Sequence, residues 1–332
     1  MKATSSEWPP NATDLLAAVN INTQSSPVCR YGVKNFWFDA SEPENLKDFG
    51  GQGGGKDGPA LETPLGQPQG ALYSAGSNQQ VGMMYPYWHA KMAYDGLKSA
   101  FPDEVPVTLS RSAWVGASKF GASSWNGDLC ASWNNFAKTI VAGLNAQLSG
   151  IAWWTHDIGA INCCNNSSPE YRELLLRWFA FGVTSPIFRQ HGSRVIDPWA
   201  LQQYGASGEA AYQAVIKMIR LRYTLRPYVL QQMETVAANG VPLNRPLSFD
   251  FPEDARAWKV TDQFMFGPKF MAAPVYRLGE REREVYFPKA SRCGAWRAYA
   301  GASGHGGEHK GGETAAVRVP LDELLLFECV VA

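Results

Sequence analysis

The sequence is short of charge and has none in excess. Its 332 residues carry 30 Lys plus Arg against 30 Asp plus Glu, and charged residues make up 18%, against roughly 25% in ordinary soluble domains. Binding a polyanion needs a basic surplus, so nucleic acid is not an expected partner. Long apolar runs are missing too. No stretch approaches the ~18 unbroken apolar residues of a membrane-spanning helix, so a membrane is not an expected partner either. Residues 1–10 have no apolar signal core, and no compartment is assigned. Six cysteines in this length are too few for a disulfide scaffold, and most are expected to be reduced and buried. A zinc site on His156, Cys163 and Cys164 does not match the usual ligand spacings, so no metal is expected.

Gly, Pro and aromatic residues are plentiful. Thirty-two Gly and 21 Pro point to long loops, and 12 Trp, 13 Tyr and 16 Phe give 12% aromatics. Large rings with a polar tip suit amphipathic ligands such as sugars. On composition alone, a large aromatic core is the plainer explanation.

Along the chain, residues 14–19 read as a short helix and residues 33–38 as a strand rich in aromatic and β-branched side chains. Residues 50–82 read as a long irregular insertion opened by Gly50-Gly51-Gln52-Gly53-Gly54-Gly55, a size uncommon in a loop without a role. Further helices are expected over 87–100, 132–148, 170–182 and 209–238, and strands over 105–110, 122–126, 150–155 and 186–189. Alternating strands and helices predict a parallel α/β fold. Asp39, Arg111, Asp128, Asp157 and His191 stand where successive strands end, the end at which parallel barrels carry their sites. After about residue 240 the pattern changes to short strand candidates at 241–243, 264–266, 270–272, 284–287 and 324–327, with a Gly/His-rich loop over 301–312. The expected architecture is α/β: a partial (β/α)8 TIM-type barrel over residues 1–240, then a small all-β domain over 241–332.

Two carboxyl groups flanking a glycosidic bond suffice to cleave it, one ionised at the sugar carbon and one protonated at the leaving oxygen. Asp39 follows an aromatic strand, with Arg111 as a candidate cation to keep it ionised. Asp128 ends Trp125-Asn126-Gly127-Asp128, where a bulky indole would favour a protonated acid. Such a pair would need to stand roughly 5 Å apart. Each residue also has a plainer role. Asp39 and Asp128 could cap helices, and Asp157 could hold a turn at Gly159. Arg111 and His191 could pair with buried carboxylates, and Trp37, Trp125 and Trp154 could be core.

Phe36-Trp37-Phe38-Asp39-Ala40-Ser41-Glu42-Pro43 resembles the nucleophile segment of glycoside hydrolase family 31, the α-glucosidase and α-xylosidase family. Arg111-Ser112-Ala113, Gly116, Phe120-Gly121 and Trp125-Asn126-Gly127-Asp128 resemble its acid/base segment. Gly150 to Gly159 resembles the next strand, and Pro186-Ile187-Phe188-Arg189-Gln190-His191-Gly192 the last barrel strand. Phe264-Met265-Phe266-Gly267 through Ala273-Pro274-Val275 resembles the start of the C-terminal β domain. Tyr85-Pro86-Tyr87-Trp88-His89-Ala90-Lys91 inclines the match to the bacterial-type α-xylosidase branch.

The resemblance implies a retaining α-glycosidase without metal or organic cofactor, acting on an oligosaccharide or glycoside with a terminal α-linked xylosyl or glucosyl residue. Asp39 would be the nucleophile and Asp128 the acid/base. Trp37, Arg111, Trp125, Trp154, Asp157 and His191 would line the sugar pocket, with Glu42 supporting the nucleophile segment. The visible motifs match barrel strands 4 to 8. The strands that would precede Asp39, and the family's N-terminal β-sandwich, have no counterpart in the sequence. The chain therefore reads as a fragment, or as a barrel closed by something else, since open edges invite pairing. The alternative is a catalytically inactive, non-catalytic carbohydrate-binding relic. Two details stand apart: the family usually has a second Gly where Ala160 stands, and Asn11-Ala12-Thr13 and Asn165-Asn166-Ser167 fit glycosylation sequons.

Overall fold

A computed structural model describes residues 34–39, 41, 72–73, 75–192, 197–289, 293–305 and 307–330. The helix expected over 14–19 and most of the 50–82 insertion lie outside the described residues. Two compact units are distinguished: Met1–Gly127 with Ser149–Trp153, and Asp128–Leu148 with Trp154–Ala332.

The first unit carries three parallel strands, β1 (Phe36–Phe38), β2 (Thr108–Ser110) and β3 (Ala122–Trp125). Phe36 stands opposite Thr108 and Thr108 opposite Ala122. The connection between β1 and β2 includes helix α1 (Tyr85–Ala100), with Pro86 in its first turn, where a missing N–H costs nothing. Phe38 is buried against Ala93 and Leu97 of α1. Ala90 of the same helix packs with Ala117, Phe120 and Ala122. Gly121 is obligatory: its φ is +66°, and a Cβ there would lie 1.9 Å from the Pro106 carbonyl oxygen. The tail of the insertion is ordered rather than irregular. Leu72–Tyr73 pairs antiparallel with Gly76–Ser77, and a helical turn Asn78–Val81 follows.

The second unit begins with α2 (Trp133–Leu148), β4 (Trp154–Thr155), α3 (Pro169–Val183) and α4 (Gly205–Asn239). Ser168 caps α3 by accepting from the Glu170 and Tyr171 amides, which satisfies donors at the helix start that have no partner within it. Phe136 of α2 stacks on Trp178 of α3 at 4.9 Å. The strand expected over 186–189 forms no ladder among the described residues. Ile187 N donates to Trp154 O, Ile158 N donates to Arg189 O, and Ile158 and Gln190 form a single parallel bridge. Pro186 has no N–H to give. The carbonyls of Val183, Ser185 and Pro186 are instead taken by the Arg222 guanidinium from α4, at 2.7–2.8 Å.

The C-terminal part is antiparallel. Its strands are β5 (Asn244–Pro246), β6 (Phe264–Phe266), β7 (Phe270–Ala272), β8 (Glu282–Tyr286), β9 (Ala295–Ala298), β10 (Glu308–Lys310), β11 (Thr314–Arg318) and β12 (Leu326–Val330). Six form one sheet in the order β10-β9-β12-β7-β6-β5, and β8 pairs with β11. Met265, Met271, Phe287, Trp296 and Phe327 are fully buried in its core. Buried Arg177 of α3 donates to the carbonyls of Glu280, Val319 and Pro320 at 2.8–3.0 Å, tying this part to the helical layer. The architecture is thus a parallel β/α array of TIM-barrel type followed by an all-β domain.

The expectation of reduced cysteines is corrected for four of them. Cys130 is bonded to Cys163 and Cys293 to Cys329, across 33 and 36 residues. Those separations carry no local signal, and the fold alone brings the partners together. Among the described residues no group of His, Cys, Asp and Glu could hold a metal ion, and no helix is long and apolar enough to cross a membrane.

Candidate active site

The pleat of β1 decides what its residues can do. Successive side chains point to opposite faces, so Phe36 and Phe38 share one face and Trp37 and Asp39 the other. Phe36 and Phe38 stack at 6.0 Å on the helix side. Trp37 is 47% exposed, and its indole lies 5.6 Å from that of Trp125, which is buried. Asp39 is the first residue beyond β1, and Arg111 the first beyond β2. Arg111 Nη1 stands 3.2 Å from Asp39 Oδ1, and the Arg111 amide donates to Phe38 O. Ser41, 1% exposed, is fastened to the end of β2. Its Oγ accepts from Ser110 Oγ at 2.6 Å and from the Ser112 amide at 3.2 Å. The strands β1 to β3 thus bring together two pairs, the Asp39 carboxylate with the Arg111 guanidinium and the Trp37 indole with that of Trp125. Glu42 lies outside the described residues.

In the second unit the same alternation separates neighbours. Trp154 and His156 face the helices, and Thr155 and Asp157 face away. Trp154 is 4% exposed, and its ring lies over Gly143 of α2, so the core-packing role accounts for it. Asp157 is buried and ion-paired with Arg189. His156 is completely buried. Its Nε2 lies 2.8 Å from Ser185 Oγ, and its Nδ1 accepts from the Trp178 indole at 3.0 Å. Burial, reinforced by the nearby Arg189 charge, pushes its pKa down to about 3, so the ring is neutral. His191 is half-buried just past the Ile158–Gln190 bridge. Asp128 is exposed, three residues past the end of β3, and the Trp125 indole meets Trp37. Ala160 has φ +65°, the left-handed region that a Gly there would enter freely.

Three participants were not anticipated from the sequence: Arg189 as the partner of Asp157, Ser41 as an acceptor for Ser110 and Ser112, and the Cys130–Cys163 bond. Arg189 stands two residues before His191 on the segment read as the last strand. That spacing puts the two on one face, a signal the sequence did hold. Each of Asp39, Arg111, Asp128, Asp157 and His191 follows the C-terminal end of a parallel strand or bridge.

Comparison with known proteins is consistent with this arrangement. Residues 8–232 match the pattern described as the glycosyl hydrolases family 31 TIM-barrel domain, and residues 240–327 match the family's C-terminal domain. An alpha-xylosidase of Saccharolobus solfataricus is 33% identical over 298 residues, 89% of this chain and 37% of that protein. Alpha-xylosidase A of Aspergillus niger is 29% identical, over 89% of this chain and 43% of its own length. The crystal structure of a GH31 alpha-xylosidase from a soil metagenome, complexed with xylose, superposes with a TM-score of 0.78 at 30% identity, over 97% of this chain and 46% of that one. The chain thus spans less than half the length of each.

Proposed function

The chain belongs to glycosyl hydrolase family 31, and from that premise we propose that it is the catalytic part of a retaining α-glycosidase that hydrolyses terminal α-linked xylosyl or glucosyl residues. The observation that supports this most is the Asp39–Arg111 pair at 3.2 Å, held at adjacent strand ends beside Trp37 and Trp125. A carboxylate that attacks as an anion gains from a fixed cation, and an exposed indole face suits the apolar face of a sugar ring.

In the first half-reaction the Asp39 carboxylate attacks the anomeric carbon while the Asp128 carboxyl gives its proton to the departing glycosidic oxygen, leaving a β-linked glycosyl ester. In the second, the Asp128 carboxylate takes a proton from water as that water attacks the ester, and Asp39 is released. Asp157, oriented by Arg189, and His191 grip sugar hydroxyls. Glu42 supports the Asp39 segment. The substrate is an oligosaccharide or simple glycoside, and the chemistry uses side chains alone. The names of the two relatives and of the structural neighbour incline the sugar towards xylose.

The test is Asp39→Ala with an aryl α-xyloside and an aryl α-glucoside. Loss of a covalent nucleophile costs roughly 10³-fold or more, and a fluorinated glycosyl fluoride should add its glycosyl mass to Asp39 of the unaltered chain. Undiminished turnover by the variant would exclude Asp39 as nucleophile. A second reading is sugar binding without turnover. Saturable retention of xylose without any aryl release would establish it.

A further inference from the structure

Asp128 sits in a loop that is neither helix nor strand, yet a general acid must be held to a fraction of an ångström. The structure shows how that loop is fastened. Two residues on, Cys130 is disulfide-bonded to Cys163. Around the bond, the Ala131 amide donates to Asn162 O at 2.9 Å, and the Ile161 and Asn162 amides donate to Leu129 O at 3.2 and 3.1 Å. Cys130 and Asn162 form a parallel bridge. Asn135 of α2 donates to Cys130 O at 2.8 Å, and Leu129 is 2% exposed.

The partner turn is itself built to hold still. It starts at Asp157, whose carbonyl accepts from the Ala160 amide. Tyr171 donates to Gly159 O at 3.1 Å. The reduced thiol of Cys164 points to the carbonyls of Gly159, Ala160 and Asn162 at 3.4–3.5 Å. Ala160 and Cys163 both adopt positive φ, +65° and +58°, a conformation that side chains with a Cβ seldom take unaided.

We propose that the Cys130–Cys163 disulfide is a positioning cross-link that fastens the Asp128 loop to the Asp157 turn, so that proton delivery to the aglycone depends on the bond being intact. The proposal rests on Asp128 being the acid/base. The bond is also the accessible one of the two: Cys163 is exposed and Cys130 half-buried, whereas Cys293 in the other disulfide is 2% exposed. A small dithiol opens it by thiolate attack on the Cys163 sulfur, which expels the Cys130 thiolate. Its second thiol then closes the reagent into a cyclic disulfide and frees Cys163. Two electrons and two protons pass to the protein.

A general acid matters greatly when the aglycone leaves poorly and little when it leaves readily. The experiment therefore compares an alkyl or disaccharide α-xyloside with a nitrophenyl α-xyloside, using the unaltered chain, Cys130→Ser/Cys163→Ser, Cys293→Ser/Cys329→Ser and Asp128→Ala. A misplacement of about 1 Å is worth about 100-fold, so the Cys130/Cys163 variant should lose about 10- to 100-fold in kcat/KM on the poor leaving group and far less on the nitrophenyl substrate. The Cys293/Cys329 variant should show no such selectivity. Amide hydrogen exchange at Ala131, Ile161 and Asn162 should accelerate when the bond is reduced.

Equal losses on both substrates, no loss, or unchanged exchange would overturn the cross-link proposal. If Asp128→Ala shows aglycone-dependent loss and the cysteine variant does not, the cross-link alone is refuted. If Asp128→Ala shows none, or the unaltered chain has no turnover, the acid/base assignment falls and the proposal with it.

Discussion

Acid should unfold this protein through a histidine that does no chemistry. His156 is fully buried, and an indole N–H can only donate. The Trp178 contact therefore fixes Nδ1 as acceptor and leaves the proton on Nε2, facing Ser185. Its pKa is pushed down from 6.5 to about 3 by burial and by Arg189. Above about pH 6.5 neither the folded nor the unfolded state protonates it, and it adds no pH dependence. Between about pH 6.5 and 3 the unfolded chain binds a proton that the native one refuses. Stability then falls by about 1.4 kcal/mol per pH unit, or about 2 kcal/mol by pH 5. His89, lowered to about 4 by burial, adds the same slope over its own narrower window. The perturbation is His156→Gln, which cannot titrate. Urea unfolding at about pH 7, 6 and 5 should show a variant weaker at neutral pH but flatter towards acid, by about 2 kcal/mol over that range. Parallel profiles for the two proteins would refute the reasoning.

Gly143→Ala should destabilise, against ordinary helix propensity. Alanine gains about 1 kcal/mol inside a helix, but its Cβ would lie 2.5 Å from the Trp154 ring. That ring is 4% exposed and cannot retreat, and overpacking costs about 1–3 kcal/mol. A raised melting temperature would contradict this. Arg177→Met keeps the apolar stem but strips the carbonyls of Val319 and Pro320 of their donor, while Glu280 O keeps the Arg281 guanidinium. At about 1–3 kcal/mol for each buried group left unsatisfied, the urea-derived stability should drop by at least about 2 kcal/mol. A loss below about 1 kcal/mol would count against a structural role for this guanidinium.

What the sequence disclosed follows the range of the forces involved. Helix periods and the strand–helix alternation are local, and α1 to α4 lie within a few residues of their expected places. The candidate residues Asp39, Arg111, Asp128, Asp157 and His191 were singled out because each stands within a few residues of a strand or bridge end. The 186–189 segment misled because Ile187 and Phe188 look like strand residues, while a guanidinium 36 residues further on claims the carbonyls before them. Three strands of the C-terminal part, β9, β10 and β11, were missed, and the strand expected over 241–243 forms instead at Asn244–Pro246. Gly301 to Gly312 reads as loop, Glu308–Lys310 is wholly polar, and Thr314–Arg318 has Val317 as its one bulky apolar residue. The disulfides and the burial of Trp154 depend on contacts across tens of residues. Pleat parity on β4 could have separated Trp154 from Asp157 beforehand.

Arg222 bears on how this segment can change. With its pKa lowered only to about 10 by burial, it stays charged under all ordinary conditions, and it gathers the carbonyls of Val183, Ser185 and Pro186, where α3 ends and the next segment begins. The stretch leading to Arg189 and His191 is held by one helix-borne cation on one side and by single backbone hydrogen bonds to Trp154 and Ile158 on the other. On the proposed function, any redesign of the Arg189–His191 segment should treat position 222 as part of its foundation.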